Sequence, residues 1–337
     1  MKILVFGAGV IGSIYAARLH KAGYDVTILA RNKRYEFLIK NGISLRNSVS
    51  KELSVTNTRI TQKLAKDDFY DLIIVSVQLK DLADIVAVLK SNTVCKLIVF
   101  MLNNAGGWED IAHELRPKHI ILGFPGVGGI HQGHLVNYIQ IKQQKTTIGE
   151  LNGEDTPAIR EIKRVLENAK FTMAVSYDMQ AWLKTHAVFV SCVTAAIMKE
   201  NGDSIQLSRN RGGVRSLVKS IREGFLACEQ LGLPVSPANL KIIFLMMPLW
   251  FSVTYWQKAL KGKMGTLALS PHANAAKVEM QMLAKMTLAM VHSSNLPTPT
   301  LDMLLLSFIK NVPFSGDYLK KDYHNLKWGA LREINKN

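Results

Sequence analysis

Residues 1–31 read MKILVFGAGVIGSIYAARLHKAGYDVTILAR. A short apolar run, Ile3 to Phe6, leads into Gly7, Gly9 and Gly12; a helical stretch from Ile11 to Lys21 follows, and a second β-type run, Asp25 to Ala30, closes the unit. This strand, turn, helix and strand context gives the GxGxxG spacing its meaning. The first glycine makes the tight turn, the second lets a pyrophosphate approach the backbone, and the third lets helix and strand pack closely. The unpaired N–H groups that open the helix, around Val10, Ile11 and Gly12, are the expected anion donors. The stretch predicts a dinucleotide-binding βαβ unit, against the plain alternative of a glycine-rich turn that binds nothing.

The end of the second strand selects between cofactors. An NAD site usually carries Asp or Glu there to accept from the ribose 2′-hydroxyl, whereas this chain has Arg31, followed by Lys33 and Arg34. Cationic groups favour a 2′-phosphate, so the expected cofactor is NADPH; a solvated basic turn is the other way to read the same residues.

With 337 residues, 48% of them hydrophobic, the chain is long enough for two cores. The cysteines, Cys95, Cys192 and Cys228, are odd in number and far apart, which fits a reduced, cytoplasmic setting better than a disulfide framework and offers no metal cluster. A formal charge of +16 raises the question of a nucleic-acid partner. Lys and Arg are scattered over both halves and no nucleic-acid motif accompanies them, so an anionic cofactor and substrate are the expected partners. The uncharged stretch Ile242 to Trp256 is too short for a comfortable membrane span and contains Pro248. It is expected to be buried in a helical core, in a homodimer interface or against substrate, and no membrane partner is expected.

Downstream, Arg34 to Lys40 reads as a helix and Gly42 to Arg46 as a short strand. Asp71 to Val77, DLIIVSV, has the β-branched apolar run of a strand buried on both faces. A helix over Asp81 to Leu89, a strand over Lys96 to Met101 ending in the Asn103–Gly107 turn NNAGG, a helix from Glu109 and a strand over Ile120 to Gly123 follow. This alternation predicts an α/β domain with a parallel sheet. Leu135 to Lys142 and Thr146 to Leu151 alternate like paired strands, and Thr156 to Asn168 has helical period. From Asp178 onward only helical periods appear, at 179–200, 211–232, 237–259, 272–292 and 299–310, bounded by glycines and prolines. Two domains are expected, an α/β domain over 1–177 and a helical one over 178–337.

These features together resemble the ketopantoate reductase family, the NADPH-dependent 2-dehydropantoate 2-reductases of pantothenate biosynthesis. The likeness rests on GAGVIG at Gly7 to Gly12, Arg31, the NNAGG turn, TTIGEL at Thr146 to Leu151, the WxK of Trp182 to Lys184, Glu279, and the Leu296 to Pro299 stretch. It implies a Rossmann-type NADP-binding domain followed by an all-helical domain like the C-terminal part of 6-phosphogluconate dehydrogenase, with the active site in the cleft between them. By the same resemblance Lys184 is the catalytic lysine, Glu279 holds substrate and orients that lysine, and Asn104 binds at the cofactor and substrate turn. The lysine assignment also makes chemical sense, because a ketone that accepts hydride becomes an alkoxide that needs a proton and a nearby positive charge.

The chain departs from the family pattern at three places. Gln78 stands on the cofactor side where the family has a lysine, and Lys80 comes two residues late. Val188 and Cys192, four and eight residues after Lys184, replace two asparagines on one helix face. Before Glu279 the family's serine stretch is replaced by Ser270, Pro271, His272 and Asn274. His186 and His272 are nearby donors but are not assigned catalytic roles. The expected activity is NADPH-dependent reduction of a 2-oxo acid or related ketone; alternatives are a relative acting on a bulkier, more apolar ketone, and a non-catalytic NADPH-binding sensor.

Overall fold

In the computed structural model, which describes residues 1–140 and 144–311, the opening stretch forms β1 (Lys2–Phe6), α1 (Val10–Lys21) and β2 (Asp25–Leu29). There follow α2 (Asn32–Asn41), β3 (Ile43–Asn47), β4 (Leu53–Thr56), β5 (Arg59–Thr61), β6 (Leu72–Val75), α3 (Leu82–Ser91), β7 (Leu97–Met101) and α4 (Trp108–Glu114). Next come β8 (His119–Phe124), β9 (Val127–Gln132), β10 (Leu135–Gln140), β11 (Thr146–Glu150), α5 (Pro157–Asn168) and β12 (Met173–Val175). One sheet has eight strands in the order β12-β11-β8-β7-β6-β1-β2-β5, and every pairing in it is parallel except β11 with β8. A smaller sheet runs β4-β3-β10-β9.

The expected pairing of the 135–142 and 146–151 segments is corrected here. β10 lies between β3 and β9 in the small sheet, whereas β11 joins the large sheet between β8 and β12. Alternation says that a strand has two unlike faces but not which strand lies beside it. Ile141 and Lys142, the end of the first segment as read, lie outside the described residues.

The glycine-bearing βαβ unit sits where the burial pattern puts it. Ile3 and Val5 of β1, Ile14 and Leu19 of α1, Val26 and Ile28 of β2, and Ile162 and Val165 of α5 share one buried cluster. Each such aliphatic side chain removed from water contributes about 1.5–3 kcal/mol before entropy is counted. Thr156 caps α5 by accepting from the Ile159 amide at 3.3 Å, with Pro157 at the first helical position, where a missing N–H costs nothing.

Beyond this, every regular element from Met179 to Asn311 is helical: α6 (Met179–Lys199), α7 (Ser204–Arg209), α8 (Arg211–Gln230), α9 (Ala238–Lys241), α10 (Leu249–Lys261), α11 (Ser270–Ala275), α12 (Lys277–His292) and α13 (Pro299–Asn311). Asp203 and Asn210 cap α7 and α8 through their side-chain oxygens. The segment read as a single helix over 237–259 is broken: a wide turn at Ile242–Met246 separates α9 from the break at Met247 and Pro248, and α10 starts afresh. The segment read over 272–292 is likewise two helices, meeting at Ala276.

Among the described residues α6 is the helix long and apolar enough to cross a membrane by length and composition, and 89% of its most apolar window is buried among the other helices. Its Phe189 meets Trp256 of α10 at 5.3 Å and Phe244 at 6.2 Å between ring centroids. The Ile242 to Trp256 stretch is thus two-sided. Phe244, Val253 and Trp256 are buried, while Met246 at 67%, Trp250 at 64% and the neighbouring Phe251 and Tyr255 are exposed.

The chain divides into two compact units, Met1–Leu102 with Trp108–Met179, and Asn103–Gly107 with Gln180 onward. The NNAGG turn therefore belongs with the helices and not with the sheet from which it springs.

Candidate active site

In the sheet-bearing unit the three glycines have unequal reasons to be glycine. Gly7 has φ +114°, and a Cβ there would stand 2.2 Å from the Ser76 carbonyl oxygen, so both conformation and space exclude a side chain. At Gly12 a Cβ would meet the Gly7 carbonyl oxygen at 1.9 Å, because the first turn of α1 lies directly against the turn. Gly9 is different: it is exposed, and nothing lies within 4 Å of the place a Cβ would take. No neighbouring protein atom explains that glycine, which leaves room for another molecule to approach the backbone.

Gly9 is also the cap residue of α1, makes no side-chain cap and is followed by no acid in the first turn. The amides of Val10, Ile11 and Gly12 lie in the helix turn that has no acceptor of its own, and with the helix dipole they favour an anion. The residues present thus fit a dinucleotide's pyrophosphate.

Arg31 follows β2 in extended conformation and is exposed, as is Lys33. Across from it, burial raises the pKa of Asp81; Lys80 pulls it down, Asp84 pushes it up and Arg31 pulls it down again, which places Arg31 within electrostatic reach of the turn after β6. Gln78 is exposed at the start of that turn. Arg34, read as part of the same basic cluster, faces the other way and hydrogen-bonds the Ala8 carbonyl, the Ser13 hydroxyl and the His134 carbonyl. Sequence reasoning missed this role, because His134 is a hundred residues distant and only the fold brings it near.

The helical unit holds Asn104, Lys184 and Glu279. Asn104 is buried, and its Oδ1 accepts from the Gly106 amide at 3.2 Å, an Asx-type contact that folds the turn. One lone pair of that oxygen serves the backbone, which leaves the second lone pair and the two N–H donors of the side chain for a ligand. Lys184 is half-buried on α6 between buried Leu183 and Thr185, and Thr185 ties this turn of helix to the Ser236 carbonyl at 2.9 Å. On α8, burial pushes the Cys228 thiol up to about 12, with the Lys184 charge pulling it back down. Glu279, half-buried, stands in the first turn of α12, where the helix dipole favours a carboxylate.

The face of α6 that continues from Lys184 is apolar and filled. Val188 is fully buried, and a Cβ added to Gly224 of α8 would lie 2.5 Å from its Cγ1 and 2.8 Å from Leu301 Cδ1. Cys192 is fully buried too, its thiol pKa raised by burial and by the nearby Glu223 carboxylate. Where asparagines would need partners, three helices close on one another instead. Glu223 completes the arrangement by accepting from the Thr300 and Leu301 amides, each at 2.8 Å, which caps α13.

The remaining polar neighbours have structural tasks. Ser270 accepts from the Ser204 amide at 2.8 Å, and Asn274 donates to the Gly202 carbonyl at 2.9 Å. His186 stacks on Trp182 at 5.0 Å and is pushed down to about 3 by burial, then by His272, itself lowered by burial. Both histidines are neutral at ordinary pH.

Comparison with known proteins bears on the same residues. The family described as "Ketopantoate reductase PanE/ApbA" matches residues 3–153. The 2-dehydropantoate 2-reductase of Archaeoglobus fulgidus is 25% identical over 211 residues, 61% of this chain and 67% of its own length. In structure, the 2-dehydropantoate 2-reductase of Geobacter metallireducens superposes with a TM-score of 0.74 at 15% identity, covering 92% of this chain and 99% of that one. A D-mandelate dehydrogenase solved with NADH and anilino(oxo)acetate gives 0.73 at 15% identity, covering 91% and 97%. The two superpositions establish a common fold of α/β sheet and C-terminal helices. The match to the ketopantoate reductase family over residues 3–153 thus falls on the stretch that holds the glycine turn, Arg31 and the NNAGG turn.

Proposed function

We propose that this protein reduces a 2-oxo acid or a related ketone at the expense of NADPH. The observation that carries the reading is the family match over residues 3–153, because it falls on a glycine turn whose second glycine faces open space before the uncapped start of α1. Arg31, exposed after β2 with Lys33 close behind it, supports NADPH over NADH.

In this reading Gly7, Gly9, Val10, Ile11 and Gly12 receive the pyrophosphate, Arg31 the 2′-phosphate, and Gln78 lies on the cofactor side at the end of β6. The nicotinamide, when bound, supplies the hydride. Lys184 gives the proton that the former carbonyl oxygen takes up, and its charge offsets the negative charge growing on that oxygen. Glu279 holds substrate and orients Lys184, and Asn104 donates from its amide nitrogen. Residues 1–177 carry the cofactor role and 178–337 the substrate role, with the NNAGG turn contributed to the latter. A cytoplasmic setting is supported by three buried, free thiols, and a homodimer by the exposed side of Met246, Trp250 and Phe251.

The alternative of a bulkier, more apolar ketone in place of ketopantoate gains no support from Val188 and Cys192, which are fully buried between helices and line no open space. The deciding experiment follows NADPH and NADH oxidation against 2-oxo acids from ketopantoate to aryl-substituted compounds. Turnover with NADPH preferred is the expected result. Binding without turnover of any substrate points instead to a sensor, and no cofactor binding at all removes the proposal.

A further inference from the structure

Arg34 parts company with the cations beside it. Arg31 and Lys33 are exposed, whereas the Arg34 guanidinium is half-buried and points inward from α2. Its Nε donates to the Ala8 carbonyl at 3.2 Å, its Nη2 to the Ser13 hydroxyl at 3.1 Å, and its Nη1 to the His134 carbonyl, between β9 and β10, at 3.2 Å. Ser13, fully buried, donates to the same Ala8 carbonyl at 3.4 Å. Phe37, one helical turn after Arg34, stacks on the His134 ring with centroids 3.8 Å apart and planes 9° from parallel. The arginine is therefore held from both ends. Burial lowers its pKa, but an arginine starts so far above neutrality that the charge is kept.

Two donors on the Ala8 carbonyl fix the peptide plane between Ala8 and Gly9. That plane is trans, so the Gly9 N–H points opposite to the carbonyl, away from Arg34 and Ser13. Without those donors little would hold it. Gly9 has no Cβ, meets no neighbouring atom where one would be, and as a glycine accepts either sign of φ, so the plane is free to flip. We infer that Arg34 is a positioning residue that sets the Ala8–Gly9 peptide plane for pyrophosphate binding, and thereby governs affinity for both nicotinamide cofactors alike. Arg31 governs the choice between them. The inference rests on the proposed function, since it takes a dinucleotide to lie at this turn.

Dissociation constants for NADPH and NADH, measured by fluorescence titration of the wild type, Arg34→Met, Arg34→Lys, Ser13→Ala and Arg31→Ala, test it. Losing the charge-assisted bonds in Arg34→Met is expected to weaken both cofactors by the same factor, about tenfold or more, leaving their ratio unchanged. Arg34→Lys, able to reach one acceptor, restores part of the loss. Ser13→Ala weakens both by a smaller common factor, and Arg31→Ala alters the ratio. A general loss of stability would lower the melting temperature of the cofactor-free protein without this pattern of equal factors and partial rescue. The inference is overturned if folded Arg34→Met binds both cofactors as the wild type does, or loses NADPH alone, which would make Arg34 a direct 2′-phosphate ligand. If Arg34→Met does not fold, unchanged affinities in both Arg34→Lys and Ser13→Ala overturn it. A wild type that binds neither cofactor removes the functional reading itself, whereas a wild type that binds, with indifferent Arg34 variants, defeats this inference alone.

Discussion

Lys184 and Glu279 divide the proposed chemistry between a proton donor and a holder of substrate, and their variants are expected to fail differently. Lys184→Ala should lower kcat by roughly two to four powers of ten, the span for losing a positioned acid and an oxyanion-stabilising charge. Its NADPH dissociation constant should stay near the wild-type value, since the glycine turn belongs to the other compact unit. Glu279→Ala should raise KM as well as lower kcat. An active Lys184→Ala enzyme with unaltered kcat would falsify the assignment. His186 gives a second test at this scale, of stability. Its pKa in the folded chain, about 3, lies below the ordinary value near 6.5, so as pH falls between these values the unfolded chain takes up the proton first and stability is lost. His186→Phe keeps an aromatic ring on Trp182 and removes that proton. Its stability should fall less steeply below about pH 6.5, by up to about 1.4 kcal/mol per pH unit. Equal acid slopes for both proteins, from urea melts across this range, would count against the burial of His186.

Elements decide how far the sequence could be read. The GxGxxG turn was legible because its demands are local: Gly7 and Gly12 meet Ser76 and each other within one βαβ unit and its neighbouring strand. The small sheet was half legible: β3 and β10 were read as strands, and β4 and β9 were not. β9 reads Val-Gly-Gly-Ile-His-Gln, with neither strong alternation nor β-branched bulk, and it exists because β10 pairs along all six of its residues. Pro248 was noticed in sequence, yet helical period persists across it, so the break did not show. Pro248 pushes Met247 into extended conformation, φ −77° and ψ 149°, and the helix restarts behind it. Ala276, where α11 meets α12, carries no such residue signal, and its break is what places Glu279 in a first turn instead of mid-helix. Lys184 was found through WxK, but the meaning of Val188 and Cys192 was not: absent amides looked like a stripped pocket, and they are packing between helices. Val188→Asn with Cys192→Asn should therefore destabilise the protein, each unpaired amide costing about 1–3 kcal/mol. Denaturant midpoints equal to wild type would show that this face has room the packing denies.

For the whole molecule, charge and apolar surface pull in different directions. A net charge of +16 opposes self-association, whereas exposed Trp250, Met246, Phe251 and Tyr255 favour it. The apolar term is expected to win, since a patch with a tryptophan and a methionine each about two-thirds exposed is more than a monomer ordinarily leaves in water. Light scattering should report a dimer that strengthens with salt as repulsion is screened, and Trp250→Lys should shift it to monomer. A wild type that stays monomeric at high salt would assign that face to something other than a second copy.

The contact between Gly224 and Val188 has a consequence for descent. A methyl group at 224 would stand 2.5 Å from Val188 Cγ1 and 2.8 Å from Leu301 Cδ1, so α8 can acquire a side chain there only if α6 and α13 make room. Position 224 is therefore coupled in descent to both of its neighbours. In proteins descended from a common ancestor with this one, any lineage that has lost the glycine should carry less bulk opposite it, at 188 and at 301.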